Sequence, residues 1–175
     1  GNPVASLVEN LISVLEQESV EYEALLGLSM KKTPIIVAGD LPALQKITDE
    51  EQTVVNRINR LEHKRSEVMK DIANVMNKDV NTLKLVNLIQ MLESRPAESR
   101  KLAEVHDRLK SVVGSMQQIN GQNRELIANS LEMVAFDMNL LHAMKAAPET
   151  ANYNKGAYNA GDVMGSARSD FDAKS

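Results

Sequence analysis

The chain contains no cysteine and no tryptophan, and aromatic residues make up only 3% of its 175 residues. Without cysteine it has no disulfide, no thiol nucleophile and no thiolate-held metal, a usage that fits a reducing compartment. Strands favour aromatic and β-branched residues, so the shortage of aromatics argues against a sheet protein. No apolar run approaches the roughly 20 residues that a membrane helix needs, so membrane insertion is not expected. The N-terminus lacks a basic stretch followed by an apolar run and a small-residue cleavage site, so no secretion signal is expected. The formal net charge of −4 makes a nucleic-acid backbone a poor partner. What is present is leucine, methionine, alanine, glutamate, lysine and glutamine, all helix formers. Apolar residues total 43%, enough to build a core.

Apolar spacing predicts where the helices lie. Val4, Leu7, Leu11 and Val14 open the first, and Tyr22, Leu25 and Leu28 resume its stripe after polar Glu18 and Glu21. Pro34 lacks an N–H and disfavours a helical Thr33, so this helix is expected to end or kink there. Gly39-Asp40 reads as a turn and N-cap, with Pro42 suited to the next first turn. In the second helix Leu44, Ile47, Glu51, Val54, Ile58, Leu61, Arg65, Val68, Ile72 and Val75 step three-four-three-four. That is a heptad seam interrupted by one acid and one base. Asn77-Lys78-Asp79 reads as a stop. A short helix is expected next, with Leu83, Val86, Ile89 and Leu92 on one face, and Pro96 starts another.

The final helix is predicted to be the longest, with a seam from Leu102 through Asn123 to Met144. Beyond Pro148 the composition shifts to Ala, Asn, Gly, Asp and Ser. The expected fold is all-α: an antiparallel bundle of long helices with coiled-coil-like packing over residues 1–147, and a flexible tail over 148–175. Acidic Glu16, Glu18, Glu21 and Glu23 on the first helix would face basic Arg57, Arg60, Lys64 and Arg65 on the second.

No catalytic or metal-binding constellation emerges, and neither an enzyme nor a cofactor is expected. None of His63, His106 and His142 has a glutamate three residues before it, so the Glu-x-x-His pattern of di-iron bundles is missing. There is no His-Glu-x-x-His motif and no phosphate-binding glycine loop. His63, beside Lys64 and Arg65, leaves open a signalling or adaptor bundle such as a histidine phosphotransfer domain. The run His63-Lys64-Arg65-Ser66-Glu67 departs from the His-x-x-Lys-Gly pattern of such domains. A surface histidine is the simpler reading.

One stretch, INGQNRELI at 119–127, sits oddly inside the longest helix. Asn123 falls on the seam, where a polar side chain lowers stability but fixes register. Gly121 weakens the helix by about 1 kcal/mol relative to alanine. With Asn120, these residues are expected to form a soft joint. Beyond them lie Leu126, Leu131, Val134, Phe136, Met138, Leu140, Leu141 and Met144, apolar on more than one face. If Leu102 packs opposite Val75, antiparallel helices place Met133 opposite Leu44, and everything beyond Met133 outruns the second helix. Such an end is a candidate site for a partner helix, and its methionines suit variable partners. It is equally suited to packing on the other helices or on a second copy, so a homo-oligomer stays open.

Several pieces, in order, resemble the FlgN family of flagellar type III export chaperones. They are LVENLISVLEQESVEYEALL, the turn VAGDLPALQKITDEEQ, the charged RINRLEHKRSEVM, and INGQNRELI ahead of an apolar helix end. The resemblance implies a non-catalytic cytosolic chaperone. It would bind the terminal helices of hook-associated proteins of the hook–filament junction, prevent their early assembly and deliver them to the export apparatus. It also implies that the C-terminal region contacts the export gate; Tyr153 and Tyr158, isolated aromatics in a polar segment, are the candidate anchors, and a passive solubilising tail is the alternative.

Overall fold

A computed structural model describes the backbone of residues 3–142 and the side chains of residues 3–129. It contains three long helices and one short one: α1 (Pro3–Ala38), α2 (Leu41–Val75), α3 (Leu85–Met91) and α4 (Pro96–His142). The described residues form the helical bundle that the apolar spacing predicts.

Local signals set the helix ends. Gly39 takes a φ of 66°, where a Cβ would be strained, and reverses the chain after α1. The Asp40 carboxylate accepts a hydrogen bond from the Ala43 backbone N–H at 3.1 Å, satisfying one of the first-turn donors of α2. Asn77, at φ 55°, stops α2. Pro96 opens α4, whose first turn is tied to α3 by the Ser99 hydroxyl donating to the Ile89 carbonyl at 3.0 Å.

Pro34 does not end α1, which runs one turn past it. A proline so near a helix C-terminus costs one backbone bond, and burial of Ile36 just beyond it holds the last turn in place. The face of α3 also differs from expectation. Leu83, Leu85, Leu88 and Leu92 are buried while Val86 is exposed, because the buried leucines of the helix follow a three-four step from Leu85.

The long helices alternate in direction, and α1 is their shared partner. Close backbone contacts run between α1 and α2, between α1 and α4, and between α3 and α4. The ion pairs Lys32–Glu51 and Arg57–Glu21 fix α1 and α2 as antiparallel. Near the other end of the register, Glu9, Ser13 and Glu16 share a groove with Ala97, Glu98 and Lys101, while Asn123 bonds Ser29. These two levels make α4 parallel to α1. The main core joins Leu11, Leu15, Tyr22 and Leu25 of α1 to Val54, Ile58 and Ile72 of α2, the leucines around α3, and Leu102, Val105, Leu109 and Met116 of α4.

Counted from Asn123–Ser29 between α4 and α1 and from Lys32–Glu51 between α1 and α2, Leu102 comes to the level of Val8 and of Val75. Val75 is 47% exposed, and Leu44 shares a cluster with Ile127. The register of α4 is set against α1, and residues 76–95, which carry α3, connect it to α2. On the same count the turn at Gly39-Asp40 comes opposite residues 133–134, and Ile127 packs just before it, with Ile36 and Leu44.

The two polar seam positions of α2 are buried. Arg65 is fully buried, with Glu18 of α1 at 3.8 Å and Glu62 also in contact. Glu51 meets Lys32 at 2.9 Å. The expected attraction between an acidic α1 and a basic α2 is present as Glu18–Arg65 and Glu21–Arg57, the latter at 2.9 Å. The Glu21–Arg57 pair is partly exposed, so it contributes about 0–1 kcal/mol and helps choose register more than it holds the fold.

Candidate functional site at the bundle tip

The tip is the end of the bundle where α1 turns into α2 and α4 passes by. A small cluster of its own fills it: Ile36, Leu44, Ile47 and Ile127 are buried, with Leu28, Ile35 and Leu126 packed against them. A polar layer separates this cluster from the main core. In that layer the Asn123 side-chain amide donates to the Ser29 carbonyl at 2.9 Å. Its oxygen accepts from the Thr33 hydroxyl at 2.6 Å. The Ser29 hydroxyl donates to Glu51 at 3.2 Å, and Lys32 pairs with the same carboxylate. Asn123, Lys32 and Glu51 are each at least 95% buried. Three side chains of α1 and one each from α2 and α4 thus meet in a polar layer, an arrangement that specifies register because any slip strands buried polar atoms.

That layer accounts for Asn123 in INGQNRELI. The backbone stays helical through Asn120, Gly121 and Asn123. Asn120 is half-buried and Gly121 is exposed. A Cβ added at Gly121 would meet nothing within 4 Å. Gly121→Ala is therefore expected to stabilise the protein by about 0.4–1 kcal/mol, chiefly by reducing unfolded-chain entropy. Thermal unfolding checks this, and a lower midpoint would contradict it.

Among the other expected site residues, Leu126 is half-buried against the tip cluster. Leu131, Val134, Phe136, Met138, Leu140 and Leu141 lie on the α4 backbone, and their side chains are outside the described residues. Met144, Tyr153 and Tyr158 also lie outside them. His63 is on an open face, 78% exposed in its side chain, and pairs with Glu67 at 3.2 Å. The spacing analysis missed Lys32, Ser29 and Thr33 in the polar layer. The signal was Glu51 on the seam, since a buried acid requires a cation and α1 has only Lys31 and Lys32.

The outside of α1 changes character along its length. Up to Glu23 its exposed residues are mostly polar. From Ala24 onward they are Ala24, Met30, Lys31, Pro34, Val37 and Ala38, with a single charge.

Among the described residues no group of three His, Asp or Glu side chains is gathered to hold a metal ion. No described helix is long and apolar enough to cross a membrane.

Comparison with known proteins bears directly on this architecture. No solved structure matches the chain. An uncharacterized protein of Bacillus subtilis (strain 168), YvyG, is 25% identical over 144 residues, which span 82% of this chain and 83% of that one. The family model described as FlgN protein matches residues 7–160, from the second turn of α1 past His142 and through Tyr153 and Tyr158. The chain belongs to the FlgN family of flagellar export chaperones.

Proposed function

We propose that this chaperone captures the terminal helices of hook-associated proteins on the end of α4, keeps them from assembling early, and brings them to the export apparatus in the cytoplasm. The observation that carries this reading is the register of α4. Ile127 packs with Ile36 and Leu44 at the tip, yet α4 continues to His142. At ~1.5 Å per residue the remainder extends about 20 Å past the level of that cluster. Its sequence, with Leu131, Val134, Phe136, Met138, Leu140 and Leu141, is apolar on more than one face. A partner helix that covers five or six such side chains gains on the order of 1.5–3 kcal/mol from each before association costs. Tyr153 and Tyr158 serve as contacts for the export gate in the same proposal.

Two shortened chains test it by calorimetric titration with a purified hook-associated protein. A chain ending at Ala147 is expected to keep the affinity of the full chain and to lose binding to the export gate. A chain ending at Ser130 keeps every buried residue of the tip cluster and so is expected to fold. It should lose cargo affinity by at least about 100-fold, equivalent to ~2.7 kcal/mol. Unchanged cargo affinity in the Ser130 chain would defeat the proposal. Retained gate binding in the Ala147 chain would remove the tyrosines from it. Sedimentation of both chains across concentration shows whether the α4 end joins two copies instead.

A further inference from the structure

The outer face of the second half of α1 is an uncovered apolar surface. Met30 is 56% exposed, Val37 is 70% exposed, and Leu41, just past the turn, is 43% exposed. Met30, Pro34 and Val37 follow one another at steps of four and three, so they share one stripe of the helix. Ser29 and Thr33 point the neighbouring side of α1 at Asn123 of α4, and Lys32 points another at Glu51 of α2. The stripe therefore faces away from both partner helices. Charged residues keep the outside of most bundle helices wet, yet Lys31 is the sole charge among the exposed residues of α1 from Ala24 to Ala38. Contiguous apolar surface of this kind marks a docking site.

We infer that this stripe is the resting place of the chain's own segment Tyr153–Tyr158, docked in cis. Chain length and starting point identify the occupant. α4 leaves the bundle at the same tip and runs about 15 Å past the level of Val37 before His142. The eleven residues from Ala143 to Tyr153 reach at most roughly 36–40 Å when fully extended. That is enough to return to the level of Val37 and to cross to the outer face of α1. The five further residues to Tyr158 cover the roughly 10 Å from Val37 back to Met30 along α1. A short flexible tether that can span the sites holds its end at a local concentration in the millimolar range, so even a weak pair of aromatic contacts is occupied. Tyrosine suits such a half-wet surface, with an apolar ring against Met30 and Val37 and a hydroxyl left in water. Met30 adds a thioether, which packs favourably at ring edges.

The consequence is competition. A tyrosine lying on α1 cannot at the same moment lie on another protein, so whatever lifts the segment makes it available. The inference is separate from cargo capture: it rests on α1 and on chain length, and it stands or falls without any cargo present.

The absence of cysteine makes the test direct. A single Ala157→Cys substitution in the full chain carries a nitroxide label beside Tyr158, with methyl groups of Met and Val isotopically labelled for NMR. Strong paramagnetic broadening of the Met30 and Val37 methyls is expected, with Val68 and Met69 at the far end of α2 unaffected. The effect should persist unchanged on tenfold dilution. Tyr153→Ser with Tyr158→Ser should abolish it. Unchanged methyl shifts of the buried Val54, Val68 and Met69 in the serine variant separate loss of docking from loss of fold. Three results would each overturn the inference: no broadening at the tip, broadening spread evenly over both ends, or broadening that fades on dilution, which would mean docking on a second copy.

Discussion

Replacing Arg65 with alanine is expected to destabilise the protein by about 3–5 kcal/mol. The guanidinium is fully buried, as is the carboxylate residue Glu18, and Glu62 is 5% exposed. Arg65 lies against both acids, across the α1–α2 interface to Glu18 and one turn back along α2 to Glu62. Its removal leaves two carboxylates inside an apolar core and a cavity where the long side chain lay. Both effects act in the same direction, and the desolvation of the charges is the larger. Arg65→Lys should be intermediate, since a lysine keeps the charge but not the planar fork that serves two acids at once. Urea unfolding followed by circular dichroism measures the loss, with a midpoint lowered by roughly 2 M if the slope is near 2 kcal/mol per molar. A change of less than about 1 kcal/mol would mean that water reaches this layer.

The Lys32–Glu51 pair offers the second large effect and a sharper contrast. Glu51→Leu alone strands a buried ammonium and removes an acceptor from the Ser29 hydroxyl. Lys32→Met alone strands a buried carboxylate. Each single change is expected to cost about 3–5 kcal/mol. The double change Lys32→Met with Glu51→Leu should return to within about 2 kcal/mol of the parent, because two apolar side chains of similar bulk replace two desolvated charges. A double-mutant cycle then yields a coupling of several kcal/mol, and simple additivity would show that the two groups do not depend on each other. The double variant would also merge the tip cluster with the main core across one apolar layer. Asn123, bonded to Ser29 and Thr33, would be left to fix the register of α4 alone.

Much of this fold is legible in the sequence because its determinants are local. Gly39, Asp40, Asn77 and Pro96 each impose a backbone geometry that the neighbouring residues cannot override, and all four mark helix boundaries. The three-four spacing locates the buried faces of α2 and α4 from Leu44 to Ile72 and from Leu102 to Met116. Pairing is less legible. Spacing says which side of a helix is buried but not which helix covers it, so α4 was expected beside α2 when its register is set by α1. Lys32 was hidden for a related reason. A lysine is ordinarily solvated, and only the acid at position 51, nineteen residues away across a turn, makes burial tolerable. Pro34 misled because its effect depends on how much helix follows it, and here only one turn does. At the tip, the polar seam position Asn123 was readable as unusual, whereas its partners Ser29 and Thr33 carry no signal of their own in the sequence.

The parallel pairing of α1 with α4 has a consequence for synthesis. The turn at Gly39-Asp40 lets α1 and α2 meet as soon as the ribosome has released them. The flank of α1 that bears Ser29 and Thr33 must wait for Asn123, a partner 94 and 90 positions downstream. At about 5–20 residues per second, translating the stretch from Met76 to Ile127 takes roughly 3–10 seconds. During that interval a nascent hairpin shows a greasy side to the crowded cell. A member of a chaperone family is thus, at its own birth, briefly in want of a cover for itself.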